Sequence, residues 1–379
     1  MFGGDAIMKR IVFPDYSHSI LNVSNSILKH YGAKPFHPTL SYLDKQLAKN
    51  YRNVVLILVD ALGEDALSHH LPKNSMLRSH MSGTLTSVFP PTTVAATTAV
   101  LSGKTPIETG WIGWHQYVSE VDRSVVFFMN KDYYDPTHVF DQSIAQTVVP
   151  YTDLYQLIAK ASPDVATHEI FPAFRTPEND TFAKLCQAIK TSIQPDGRHF
   201  VYAYWDKVDS LMHEFGPYAQ PVHDMIESVE LGFADLVINS PEDTLFMVIA
   251  DHGQVDVDPI YLYDYPDIEE LLIRKPSIES RASVFYVKKG MESMFEERFN
   301  HHFRRYFNLY KTEDALKMKL FGDGKEHPRT REFLGDYIAI AIHHFNLVTQ
   351  KDSFVMKGQH AGLLEAEMMV PLIIHSPKK

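Results

Sequence analysis

The chain has 379 residues, 45% hydrophobic and 22% charged, which fits an ordinary folded core in one large domain or two. Lys and Arg total 36 against 47 Asp and Glu, a formal charge of −11, so the basic field of a duplex nucleic-acid binder is missing. The single cysteine, Cys186, excludes an intramolecular disulfide and a cysteine-based zinc site. No run approaches the ~20 apolar residues of a membrane helix, and Met1 to Arg10 lacks the apolar run of a signal peptide, so a cytoplasmic protein with no membrane partner is expected.

Ile11 to Pro14 predicts a short extended lead-in, and Ile20 to Tyr31 an amphipathic helix closed by Gly32. A loop at Pro35 to Pro38 and a helix over Tyr42 to Asn50 follow. Val54 to Val59 is an unbroken apolar run, as expected of a parallel strand buried on both faces, and it ends in Asp60. Ligands of open α/β sheets sit beyond the carboxyl ends of the strands, so Asp60 is placed for chemistry. A loop aspartate capping the helix at Glu64 to His70 is the plainer alternative.

Phe89-Pro90-Pro91-Thr92-Thr93 opens a run of small and apolar residues that Gly103 ends. Proline is favoured at a helix start and glycine past a helix end, which predicts a helix from about Thr92 to Ser102. Its N-terminus suits an anionic oxygen. A threonine hydroxyl there, beside a metal, would be able to attack phosphorus; a simple Thr N-cap explains the same residues. Trp111, Trp114, His115 and Tyr117, then Tyr133 and Tyr134, offer ring faces to a nucleoside or sugar, or pack on one another. Ser124 to Met129 predicts a short strand.

Leu154 to Lys160 predicts a helix, Ala166 to Phe171 a strand, Thr181 to Ile193 a helix and His199 to Tyr204 the next central strand. Directly after it, Asp209 and His213 are four apart and share one helical face. Carboxylate and imidazole are ligand types that zinc accepts, although a surface pair would look the same. A helix over Tyr218 to Asn239 leads to the strand Thr244 to Ala250, which ends in Asp251-His252-Gly253. From Asp256 to about Lys351 the texture changes, with strands at Ser283 to Val287 and Tyr337 to Ile342 and a helix at Met291 to Tyr306. This stretch, about 256–351, is expected to be an αβ insertion or cap within a single catalytic domain spanning 1–379. Gly358-Gln359-His360 forms a glycine-flanked histidine loop, and Val370 to His375 is the last strand.

Three buried strands thus end in metal-type ligands: Asp60, the Asp209/His213 pair, and Asp251/His252. With His360 and the Thr93 hydroxyl they suffice for two metals. Their order and spacing resemble the nucleotide pyrophosphatase/phosphodiesterase family of the alkaline phosphatase superfamily, from Val54 to Pro371. Asp60 matches the strand-end aspartate of that family. Aligning the helix with its closing Gly103 puts the threonine nucleophile at Thr93. Asp209, His213, Gly216 and Pro217 match an Asp-x-x-x-His pair followed by Gly-Pro; Asp251-His252-Gly253 and Gly358-x-His360 match the remaining ligand motifs.

The resemblance implies an α/β, alkaline-phosphatase-like three-layer αβα sandwich with a mostly parallel central sheet. It implies two divalent ions, zinc by preference, although manganese accepts the same ligands. One would be held by Asp209, His213 and His360. The other would be held by Asp60, Asp251 and His252 and would touch Thr93. A threonine nucleophile and a phosphothreonine intermediate follow from it. The implied substrate is a small phosphate ester or nucleotide, with diesters favoured because no arginine lies near Thr93 in sequence. A phosphomonoesterase, or a phosphonate or sulfate ester hydrolase on the same site, is the alternative. A non-catalytic metal-binding module is a second one.

Overall fold

In the computed structural model, residues 10–194, 196–351 and 354–377 are described; of Met1 to Arg10, only Arg10 falls among them. Strand Asn53–Val59 is buried along its whole length because it is hydrogen-bonded in parallel on both sides, to Arg198–Trp205 and to Thr244–Ile249. The six-stranded sheet around it has the order Met81–Thr86, Met369–His375, Thr244–Ile249, Asn53–Val59, Arg198–Trp205, Val165–Ile170. Only Met369–His375 runs against the rest, antiparallel to both its neighbours. Met81–Thr86 has no counterpart in the sequence reading. It is a half-exposed edge strand, so it lacks the apolar run that marks the inner ones.

Helices Ile20–His30, Ser41–Leu47, Thr93–Ser102 and Leu154–Ala161 form one group. Helices Phe182–Ser192, Lys207–Phe215 and Gln220–Ile238 form another. With the sheet they make an alkaline-phosphatase-like αβα sandwich with a mostly parallel sheet. Register decides where chemistry falls. Leu58 pairs with Ile249 and Val59 with Trp205, so the chain leaves all three strands at the same edge.

A second sheet of seven strands is antiparallel throughout. Its order is Phe307–Lys311, Tyr337–Ala341, Ala282–Val287, Leu272–Ile278, His115–Val118, Arg123–Val126, Lys131–Asp132. The aromatic stretch is part loop and part strand. Its second half, His115–Val118, forms a hairpin with Arg123–Val126, and Asp122 in the connection has φ +50°. Helix Glu292–Phe303 ends three residues earlier than its apolar pattern predicts, because Phe307–Lys311 is a strand. That helix packs Phe295 and Phe299 against Phe285 of the sheet, with Phe303 against Phe299 in the same cluster. Among the described residues, no helix is long and apolar enough to cross a membrane.

Candidate metal centre

Asp60 and Asp251 meet because two loops approach backbone to backbone. A Cβ on Gly63 would lie 2.7 Å from the Gly253 Cα, and one on Gly253 would lie 2.1 Å from the Ala366 carbonyl oxygen. No side chain fits either position. Asp251 Oδ1 then accepts the backbone N–H groups of Ala61 (3.1 Å) and His252 (3.0 Å), which orients its carboxylate. His252 Nε2 lies 3.4 Å from Asp60 Oδ1 and 3.6 Å from Asp251 Oδ2.

Helix Thr93–Ser102 begins at this cluster. Thr92 is its N-cap residue, and Gly103 closes it in the left-handed conformation at φ +69°. The Thr93 hydroxyl sits 3.4 Å from Asp60 Oδ2 and 3.3 Å from His252 Nε2. The Thr92 hydroxyl points elsewhere and donates to Glu279 Oε1.

The second cluster is Asp209, His213 and His360. His213 Nε2 lies 3.2 Å from Asp209 Oδ2, and His360 Nε2 lies 4.0 Å from Asp209 Oδ1. Each imidazole is bonded through Nδ1 to a backbone carbonyl: His213 to Gly358 (2.9 Å) and His360 to Pro91 (3.0 Å). That fixes the tautomer and turns both Nε2 atoms toward the site, as metal-ligating histidines require. The two clusters touch through stacked His252 and His360 rings, 3.9 Å between centroids.

The residues fit a cation. In each cluster the candidate ligand atoms lie within 4.8 Å of one another. Asp60 Oδ1 and Asp251 Oδ2 are buried without a hydrogen-bond partner, an arrangement that costs free energy unless positive charge fills the gap. Burial, then the nearby Asp251 and Asp209 charges, push the Asp60 carboxyl well above its ordinary range. Burial opposes ionisation of Asp209 too, but the imidazoles of His213, His360 and His252 hold it well below its ordinary range. Burial, then His252, keep His360 neutral, the state in which imidazole binds metal.

All seven residues singled out in the sequence therefore converge. Three further contacts have no motif behind them. Tyr204 donates its hydroxyl to Asp60 Oδ2, and Gln254 donates to the Asp209 carbonyl at 3.2 Å. The third, Glu279, enters from the second sheet. Tyr204 was the most legible of these, since it lies one residue before the end of the central strand Arg198–Trp205, which pairs with the strand leading to Asp60.

A cavity of about 200 Å³ opens on Thr93, Asp209, His213 and His360, walled by Trp114, Tyr133 and Glu279. His115 stacks face to face on Tyr133 at 3.6 Å. Trp111 is buried and bonds the Val149 carbonyl at 2.8 Å, so it is packing and not a ligand platform. A further cavity of about 380 Å³ reaches Tyr204 from another direction and carries Phe171, Phe174 and Arg175.

An alkaline-phosphatase-like sandwich with acid–imidazole clusters at its strand ends defines a metal-dependent phosphoric ester hydrolase. Residues 54–362 match the family model of type I phosphodiesterase / nucleotide pyrophosphatase, and the chain belongs to that family. No curated protein matches at a significant level. Among solved structures, murine ectonucleotide pyrophosphatase/phosphodiesterase 5, an inactive threonine-to-alanine variant in complex with AMP, superposes with a TM-score of 0.66 at 15% identity, covering 86% of this chain and 88% of that one. The human form of that protein gives 0.65 at 15% identity, covering 85% and 87%. Phosphonoacetate hydrolase from Sinorhizobium meliloti 1021, in complex with phosphonoformate, gives 0.61 at 16% identity, covering 86% and 90%. At these identities the likeness is one of fold.

Proposed function

We propose that this chain is a two-metal phosphodiesterase or nucleotide pyrophosphatase in which Thr93 is the nucleophile. The observation that carries the reading is the Thr93 hydroxyl, set at a helix N-terminus within 3.4 Å of both an Asp60 oxygen and His252 Nε2. Divalent ions, zinc by ligand type, would supply Lewis-acid charge and lower the pKa of that hydroxyl. Asp60, Asp251 and His252 would hold one ion, and Asp209, His213 and His360 the other.

The chain's own residues do the rest. Helix N–H groups face the oxygens of the phosphoryl group; Ala96, one turn along, offers no side-chain donor. Thr93 Oγ bonds to phosphorus in line with the leaving alcohol. The P–O bond to that alcohol breaks, and the alcohol departs with its electron pair and takes up a proton. Water then cleaves the phosphothreonine and regenerates the hydroxyl. The inactive threonine-to-alanine variant of the murine neighbour, captured with AMP, supports a threonine in this role.

Substrates are small phosphate diesters or nucleotides in this reading. The phosphonoacetate hydrolase neighbour keeps a phosphonate substrate as the second one. Against it stands the cavity wall, which among the described residues includes neither lysine nor arginine to meet a highly charged phosphonate. We read residues 256–351 as a cap on one catalytic domain, since Ile278, Glu279 and Ser280 of that stretch line the cavity. A cytoplasmic location belongs to the same reading, resting on one buried, unpaired cysteine.

The test pairs two variants and two esters: the nitrophenyl esters of thymidine monophosphate and of phosphate. Thr93→Ala is expected to keep metal near wild type and to lose about three or more orders of magnitude in turnover. His360→Ala is expected to lose metal and activity together. Full activity in Thr93→Ala would end the covalent mechanism. Absence of bound metal, with no response to added zinc or manganese, would end the two-metal reading.

A further inference from the structure

Glu279 has no part in the chemistry assigned to Thr93 and the two clusters, yet it stands in their cavity. It lies in the turn between strands Leu272–Ile278 and Ala282–Val287 of the second sheet. Ile278, just before it, has φ +78°, a conformation that costs a β-branched residue free energy. Gly113 makes room for that turn, since a Cβ there would lie 2.5 Å from Ile278 Cγ2. The result is a glutamate carried inward, with only 9% of its surface exposed.

Its two oxygens are used differently. Oε1 accepts both available donors, the Thr92 hydroxyl and the Trp114 backbone N–H at 2.8 Å. Oε2 takes no hydrogen bond from the described residues and is left to the cavity, which Thr93, Asp209, His213 and His360 also line. A buried carboxyl is expensive to keep, and burial pushes this one up to about 7 against the pull of its two hydrogen bonds. Cations held by the neighbouring clusters would draw it back toward the charged form.

We propose that Glu279 is a specificity-determining residue whose free carboxylate oxygen sets the site against doubly charged phosphate monoesters and in favour of singly charged diesters. The inference rests on the hydrolase reading above and names its substrate class. Two divalent cations favour whichever phosphoryl group carries more negative charge. A carboxylate in the same small cavity offsets that preference, because its repulsion doubles when the group carries two charges and not one. Specificity built on a repulsive element is common where attraction alone ranks ligands the wrong way.

The experiment measures kcat/KM of the metal-loaded enzyme for the nitrophenyl ester of thymidine monophosphate and for nitrophenyl phosphate, with metal content determined in each protein. Glu279→Gln keeps an acceptor for Thr92 and Trp114 but removes the charge. It is expected to raise the monoester-to-diester ratio by about tenfold. Glu279→Asp keeps the charge and is expected to restore the wild-type ranking, which a purely structural role would not produce. If the Gln protein does not fold, Glu279→Ala, which admits water to the two donors, carries the same expectation. A ratio unmoved by loss of the charge overturns the proposal while leaving the hydrolase reading intact, whereas a wild type that already prefers the monoester overturns the proposal together with the diesterase reading it rests on. A wild type that cleaves neither ester defeats the hydrolase reading, and this inference falls with it.

Discussion

The strand-end edge of the central sheet and the second sheet face each other across one cavity, but they are built differently. At the strand ends each functional residue is a short step from a buried strand: Asp60 directly follows Val59, and Asp251 stands two residues past Ile249. In the second sheet, neighbours in space are far apart in sequence. His115 pairs with Ile278, and Glu279 meets Thr92 and Trp114. The first region carries the candidate ligands, and the second supplies a wall of the cavity they face. Asp60, Asp251 and His252 therefore depend on local strand register, whereas the wall depends on long-range pairing.

One buried ion pair joins the two regions, and breaking it carries the largest expected effect on stability. Arg281, beside Glu279, donates from Nε and Nη2 to Glu367 at 2.7 and 2.8 Å, and both side chains are fully buried. Glu367 in turn accepts the Gly362 N–H at 2.7 Å, in the loop of His360, and its carbonyl accepts the Gly253 N–H at 2.9 Å, in the loop of His252. Arg281→Met leaves that carboxylate buried and uncompensated, at an expected cost of about 3–5 kcal/mol. Phe299→Ala, in the core beneath the second sheet, is expected to cost a similar ~3–5 kcal/mol. Only the first should also weaken metal affinity. Denaturant titration with metal binding on both proteins checks this, and equal metal affinities would show that the regions are energetically separate.

The same contrast explains what could be read from the chain. Asp60, Asp209, His213, Asp251 and His252 were legible because each follows an apolar run long enough to identify as a buried strand. Thr93 was legible because Pro91 and Gly103 bracket its helix. Strand Leu272–Ile278 was not, since Arg274, Lys275 and Pro276 interrupt its apolar pattern and its pairing with Ala282–Val287 shifts register twice. Without that strand nothing in the sequence brings Glu279 to the cavity. The strand that carries His115 was not legible either, because it spans only four residues, His115–Val118.

Acid is expected to act on both regions alike, which makes it a useful control. Burial holds His115 of the second sheet down to about 3, and burial with the nearby Arg198 charge holds His30 of the sandwich down to about 4. A base with a depressed folded pKa contributes stability that is fully present above its unfolded value of ~6.5. That stability is lost as pH falls toward the folded value, because the unfolded chain takes up the proton first. The metal-free protein is therefore expected to lose about 2 kcal/mol or more between pH 7 and pH 5, by urea unfolding. His115→Gln and His30→Gln should each reduce that slope. A stability flat across this range would mean that both histidines are protonated in the folded protein.

The smallest expected effect concerns Tyr204, which belongs to the strand-end edge alone. Its hydroxyl and that of Thr93 both address Asp60 Oδ2, while Asp60 Oδ1 has no hydrogen-bond partner among the described residues. Tyr204 thus holds one oxygen of the carboxylate so that the other faces the site. Tyr204→Phe removes that hydrogen bond without opening a cavity, for an expected ~1 kcal/mol of stability. Outer partners of metal ligands are worth about 10–100-fold in affinity, and one of several contacts to this cluster should fall at the low end, near tenfold. Turnover at saturating metal should then stay within about threefold of wild type, since Thr93 keeps its place at the helix start. Metal titration followed by activity at saturation separates the two quantities. A large loss of turnover with metal affinity unchanged would instead make the Tyr204 hydroxyl part of the proton path from Thr93, and the division between ligand edge and reacting group would have to be redrawn there.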